Sequence, residues 1–104
     1  MPQERREDER VAPNLTARWD GLSGAYQGRI EDISLGGCFV NTRGGVSPGE
    51  MITLEIRLPP GEWLQLRGEV TSYQPAMGFG LVFSYLTDEE QRILQQLITG
   101  LDPA

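Results

Sequence analysis

The sequence predicts an all-β fold, a small six-stranded antiparallel β-barrel followed by one C-terminal α-helix. Three observations support this. Apolar and polar residues alternate over residues 51–58 and 63–73, as they do in half-buried strands. Turns rich in Gly and Pro, such as 59–61, separate short segments. After Tyr85 the apolar spacing changes to that of a helix. Closely spaced strands joined by such turns are typical of small barrels.

The predicted strands follow one another with short breaks. Residues 15–19 alternate, residues 26–33 alternate imperfectly, and residues 38–40 form a short third strand after a Gly pair. Residues 41–49 are rich in Gly and predict a loop. The fourth and fifth strands are the alternating segments named above. The sixth carries four large apolar side chains on one face, Phe79, Leu81, Phe83 and Tyr85.

The helix is predicted from its ends and from its apolar face. Thr87 and Glu90 have the spacing of a capping box, and Gly100 lies where helices commonly end. These signals and the charged N-terminus predict one domain with three parts, an N-terminal arm (residues 1–12), a barrel (residues 13–86) and a helix (residues 87–101). We expect the arm to be flexible, because it has no apolar periodicity.

Composition excludes several classes of function. The net charge of −6 disfavours binding to a nucleic-acid polymer, and no apolar run approaches the ~18 residues of a membrane span. The chain has no His, and its one Cys, Cys38, lies in an apolar run and is expected in the core. We therefore expect no enzymatic activity, no metal and no cofactor. A single Cys fits a cytoplasmic protein.

Two short motifs suggest a binding site instead. Asp32, Ser34 and Gly37 have the spacing D-x-S-x-x-G, with Gly36 beside them, and Arg6 and Arg10 have the spacing R-x-x-x-R, preceded by Arg5. Guanidinium groups recognise phosphate and the O6/N7 edge of guanine, and a carboxylate accepts from guanine N–H groups. Such a set suits a small guanine-bearing phosphodiester. Each motif also has a plainer interpretation, a strand-ending turn for the first and a solvated charge run for the second.

Taken together, the two motifs resemble the signature of the PilZ domain family, bacterial receptors for cyclic di-GMP. Residues 78–83 also resemble the last barrel strand of that family. The resemblance implies that Arg6 and Arg10 clamp the ligand and that Asp32 and Ser34 bind a guanine. It also implies that the glycines at 36 and 37 permit close approach. Arg5 is expected to add a contact and to favour two stacked ligand molecules over one.

The function implied by the resemblance is a switch. Ligand would order the arm on the barrel and create a surface for an effector protein, in a monomer or weak dimer. Two alternatives remain open from the sequence. One is a PilZ-like adaptor that binds proteins but no nucleotide. The other is an oligonucleotide-binding barrel, which the acidic charge and the lack of a row of aromatic residues disfavour.

Overall fold

The fold was analysed in a computed structural model that describes residues 11–59 and 61–100. These residues form six strands and one helix: β1 (Leu15–Gly21), β2 (Gly24–Ile33), β3 (Gly37–Thr42), β4 (Met51–Arg57), β5 (Trp63–Gln74), β6 (Gly78–Phe83) and α1 (Asp88–Thr99). All neighbouring strands are antiparallel, and they close a barrel in the order β1-β2-β3-β6-β5-β4. The predicted six-stranded barrel with a C-terminal helix is confirmed.

The alternating side chains fill the barrel. Leu54, Ile56, Leu66 and Phe79 are almost completely buried, while the residues between them face outward. Cys38 also lies in this core, as predicted. The helix adds buried apolar side chains to the same cluster, Leu94 and Ile98. In the described part of the chain, no helix has the length and apolar character needed to cross a membrane.

The helix begins as its capping signals predict. The Thr87 hydroxyl accepts a hydrogen bond from the Glu90 amide at 3.0 Å, and the Glu90 carboxylate accepts one from the Thr87 amide at 3.0 Å. Gly100 ends the helix with a φ of −86°, so it does so without the left-handed conformation that favours glycine.

The prediction that Tyr85 extends the last strand is wrong. β6 ends at Phe83, and Tyr85 is 86% exposed with a φ of 56°. Arg67 explains the change of direction, because its guanidinium donates to the Tyr85 carbonyl at 2.7 Å and its own carbonyl accepts from the Ser84 amide. The chain therefore turns from the sheet towards the helix at this point.

Two β-bulges interrupt the strand pairing. The register shifts between Ile30 and Asp32 where β2 pairs with β3, and between Val70 and Ser72 where β5 pairs with β6. A bulge places an extra residue opposite one partner and redirects the side chains around it. The first bulge accounts for the imperfect alternation of the second predicted strand.

Val11 joins the barrel ahead of β1. Its backbone exchanges two hydrogen bonds of 3.0 Å with Ile33, and its side chain is 1% exposed. The N-terminal arm predicted for residues 1–12 thus contains, near its end, a residue of the barrel core. Arg5, Arg6 and Arg10 lie outside the described residues.

Candidate functional site

The D-x-S-x-x-G motif forms a tight turn between β2 and β3, which we name the motif corner (residues 32–37). The Ser34 amide donates to the Gly37 carbonyl at 2.8 Å. The Ser34 hydroxyl accepts from the Gly36 amide at 3.2 Å and donates to the Gly37 carbonyl at 3.4 Å. Ser34 is 5% exposed. Its hydroxyl therefore has a structural function in this turn, as the plainer interpretation of the motif expected.

The two glycines of the motif corner have different surroundings. A side chain at Gly37 would collide with the carbonyl oxygen of Leu81 in β6. A methyl group at Gly36 would meet only the Ser34 hydroxyl oxygen, at 4.0 Å. Strand pairing thus explains a glycine at position 37 before any ligand is considered. The exposed Gly36 has no comparable packing requirement.

Asp32 lies directly after the β2 bulge and is half-buried. It lines a cavity of about 720 Å³ on the outside of the barrel, within the range of small-molecule sites (roughly 300–1,000 Å³). The same cavity has a lining of mixed polar and apolar residues: Asp32, Ser34, Gly36, Gly37, Cys38, Phe39, Thr71, Ser72, Gly80, Leu81 and Val82. The four motif residues predicted from the sequence therefore lie together at one cavity.

Seven lining residues were not predicted as site residues from the sequence, among them Phe39, Thr71, Ser72 and Gly80. They come from β3, β5 and β6, which the strand order places side by side. The one available signal was the Gly between Phe79 and Leu81, which leaves that position on the outer face of β6 without a side chain. Among the described residues, no group of His, Cys, Asp and Glu could hold a metal ion.

A charge pair fixes the start of α1 to β5. Arg67 donates to Glu90 at 2.9 Å and 3.4 Å, in addition to its bond to the Tyr85 carbonyl. The pKa of Glu90 is lowered chiefly by the hydrogen bond from Arg67 and next by the Thr87 amide. The same pair raises the pKa of Arg67. Gly36 of the motif corner contacts the C-terminal end of β6, since its carbonyl accepts a hydrogen bond from the Phe83 amide at 2.9 Å.

Solved structures share this fold. The PilZ domain with c-di-GMP of YcgR from Escherichia coli matches with a TM-score of 0.76 and 16% identity, over 95% of this chain and 92% of that one. The Bacillus subtilis inhibitor of motility, MotI/DgrA, matches with a TM-score of 0.74 and 23% identity, over 93% of this chain. K. pneumonia MrkH in complex with c-di-GMP matches with a TM-score of 0.72 and 18% identity, over 94% of this chain.

The chain spans 50% of the B. subtilis protein and 51% of the MrkH chain, so it corresponds to one part of each. No curated protein sequence matches it. The family model for the PilZ domain matches residues 4–100, a span that includes both arginines of the R-x-x-x-R motif and the whole motif corner. With that match and the closed barrel described above, this chain belongs to the PilZ domain family.

Proposed function

We propose that the chain is a cytoplasmic receptor for cyclic di-GMP that holds its ligand between the N-terminal arm and the motif corner. The observation that carries the proposal is the pairing of Val11 with Ile33. Ile33 lies between Asp32 and Ser34, and a peptide bond joins Val11 to Arg10. Arg10 is therefore one peptide bond away from a residue that pairs with the motif corner, which supports a binding role for Arg10 there. Arg6 is four residues further, within reach of about 14 Å in an extended chain.

The chemistry of these groups fits the two parts of the ligand. Arg5, Arg6 and Arg10 supply planar donors for phosphate oxygens and the guanine O6/N7 edge. Asp32 supplies acceptors for the guanine N–H groups. The E. coli YcgR domain and MrkH, which share the fold, were both solved with c-di-GMP.

Close contacts rather than long-range attraction would hold the ligand. Residues 4–10 contain three arginines and four acidic residues, so this stretch carries no net positive charge. Charge-assisted hydrogen bonds contribute roughly 1.5–3 kcal/mol each, and they would offset the entropy lost when the arm is ordered. The ordered arm would then be the surface that an effector protein recognises.

Calorimetric titration with cyclic di-GMP, cyclic di-AMP and GTP tests the proposal. We expect cyclic di-GMP to bind most tightly, and Arg6→Ala or Arg10→Ala to weaken it at least tenfold, since each removes a charged contact. Arg92→Ala is the matched control, because Arg92 is exposed on α1 and pairs with Glu89. Slower hydrogen exchange within residues 1–10 on ligand addition would support ordering of the arm.

Two results would overturn the proposal. Unchanged affinity in both arginine variants would remove the arm from the binding site. Absence of heat with cyclic di-GMP for the unmodified chain would instead favour a PilZ-like adaptor that binds no nucleotide.

A further inference from the structure

Four residues form a row across the outer face of the barrel. Asp32 pairs with Phe39, Phe39 pairs with Gly80, and Gly80 pairs with Ser72. Directly paired residues lie on the same face of a sheet, and strands are about 4.7–4.9 Å apart, so the row is about 14 Å long. All four residues line the 720 Å³ cavity. We name them the cross-strand row.

Phe39 is an aromatic residue that lies on the outer face of the barrel and not on the face that packs the core. Its neighbours Cys38 and Val40 are at most 1% exposed inside the barrel. Phe39 itself is half-buried, points outward, and is absent from the cluster of side chains that pack the core. An apolar ring that does not stabilise the core and that lines a polar-rimmed cavity is suited to contact a planar ligand group.

Gly80 lets two hydroxyl groups approach the sheet beside this ring. Its backbone has no left-handed conformation, so backbone geometry alone does not require glycine. A methyl group at this position would lie 2.8 Å from the Ser72 hydroxyl and 3.2 Å from the Thr71 hydroxyl. The β5 bulge thus brings two consecutive hydroxyl groups over Gly80. The cross-strand row therefore presents the Asp32 carboxylate, the Phe39 ring and, over Gly80, the Ser72 hydroxyl with the Thr71 hydroxyl beside it.

We propose that a purine base of the bound nucleotide stacks on Phe39, and that the Thr71 and Ser72 hydroxyls, which lie over Gly80, hydrogen-bond the edge of the base that faces them. This inference rests on the proposed function and adds residues that the two motifs do not contain. Stacking on an aromatic side chain tolerates any base, because every base has a π-face. Phe39 therefore contributes affinity, whereas the acceptor oxygens of Asp32 distinguish guanine from adenine.

Titration of three variants with cyclic di-GMP and cyclic di-AMP tests the stacking. Phe39→Leu keeps an apolar side chain but removes the ring, so affinity for both ligands should fall roughly tenfold or more and their ratio should stay constant. Phe39→Tyr keeps the ring and should bind within threefold of the unmodified chain. Asp32→Asn should lower the preference for cyclic di-GMP over cyclic di-AMP. Thermal unfolding of each variant checks the fold.

A measurement on the unmodified chain makes the test independent of any folding defect. In NMR spectra, Phe39 ring protons should shift upfield on addition of cyclic di-GMP and show nuclear Overhauser contacts to the purine H8. If the unmodified chain binds but Phe39→Leu binds equally well and the ring protons do not move, the stacking is refuted and the receptor function stands. If the unmodified chain does not bind, the proposed function fails, and the stacking fails with it.

Discussion

Replacing Gly37 with Ala should destabilise the fold, although the motif corner would lose no hydrogen-bonding group. The added methyl would collide with the Leu81 carbonyl oxygen and lie 3.2–3.3 Å from the Leu81 carbonyl carbon and the Val82 Cα. These are backbone atoms of the paired strand, so no rotamer change relieves the contact. β3 and β6 would have to separate where Gly37 pairs with Val82.

The expected magnitude follows from overpacking, which costs typically 1–3 kcal/mol. We expect the upper half of that range, about 2–3 kcal/mol, because the colliding atoms belong to the backbone. For a domain of this size 1 kcal/mol corresponds to about 4–8 °C, so Gly37→Ala should lower Tm by roughly 10–20 °C. Thermal unfolding followed by far-ultraviolet circular dichroism measures this directly.

Gly36→Ala is the matched control. The same methyl at this exposed position meets only the Ser34 hydroxyl, at 4.0 Å, so we expect a change within about 0.5 kcal/mol and a Tm within about 4 °C. Because Gly36 lines the cavity, its methyl should still weaken binding of cyclic di-GMP. Equal Tm values for the two variants would refute the reasoning, since it assigns the collision to position 37 alone.

Two further predictions concern interactions away from the cavity. Glu90→Gln should lower the urea midpoint at pH 7. Because folding lowers the pKa of Glu90, its stabilising effect is present above the ordinary pKa near 4.5 and is lost as pH falls below the pKa in the folded protein, so the two midpoints should converge in acid. A constant difference between the midpoints down to pH 2 would contradict this. Thr42→Val should lower the free energy of unfolding by about 1–3 kcal/mol, and with it the melting temperature, because the buried Trp19 indole N–H loses its acceptor at 3.2 Å. Thr16→Val is the control, because Thr16 is exposed on β1 and its replacement should leave the melting temperature nearly unchanged.

Local signals predicted the elements well. The capping box fixed the start of α1 because both of its bonds lie within four residues of sequence. The alternation of β4 and β5 identified their inward faces because one face is buried and the other is not. Tyr85 was assigned to the last strand because it continues the alternation of Phe83. The sequence pattern does not show that Arg67, 18 residues earlier, bonds the Tyr85 carbonyl and turns the chain.

The candidate site was predicted only in part, because its remaining wall depends on long-range pairing. The motif corner is contiguous in sequence, so its four residues could be found from spacing alone. Phe39, Gly80 and Ser72 meet only because β3 lies beside β6 and β6 beside β5. Phe39 also follows Cys38 in an apolar run, and the hydrophobicity of such a run does not show which of its side chains faces outward.

The bulges explain why the alternation of apolar and polar residues along the strands could not locate the cavity. Regular alternation would place Thr71 and Ser72 on opposite faces of β5, and Glu31 and Asp32 on opposite faces of β2. Both register shifts fall on strands that flank the β3–β6 pair, and each redirects polar side chains at one end of the cross-strand row. The carboxylate and the hydroxyls face one cavity because the sheet is irregular at both of its walls. A regular six-stranded barrel with the same composition would place only part of these groups there.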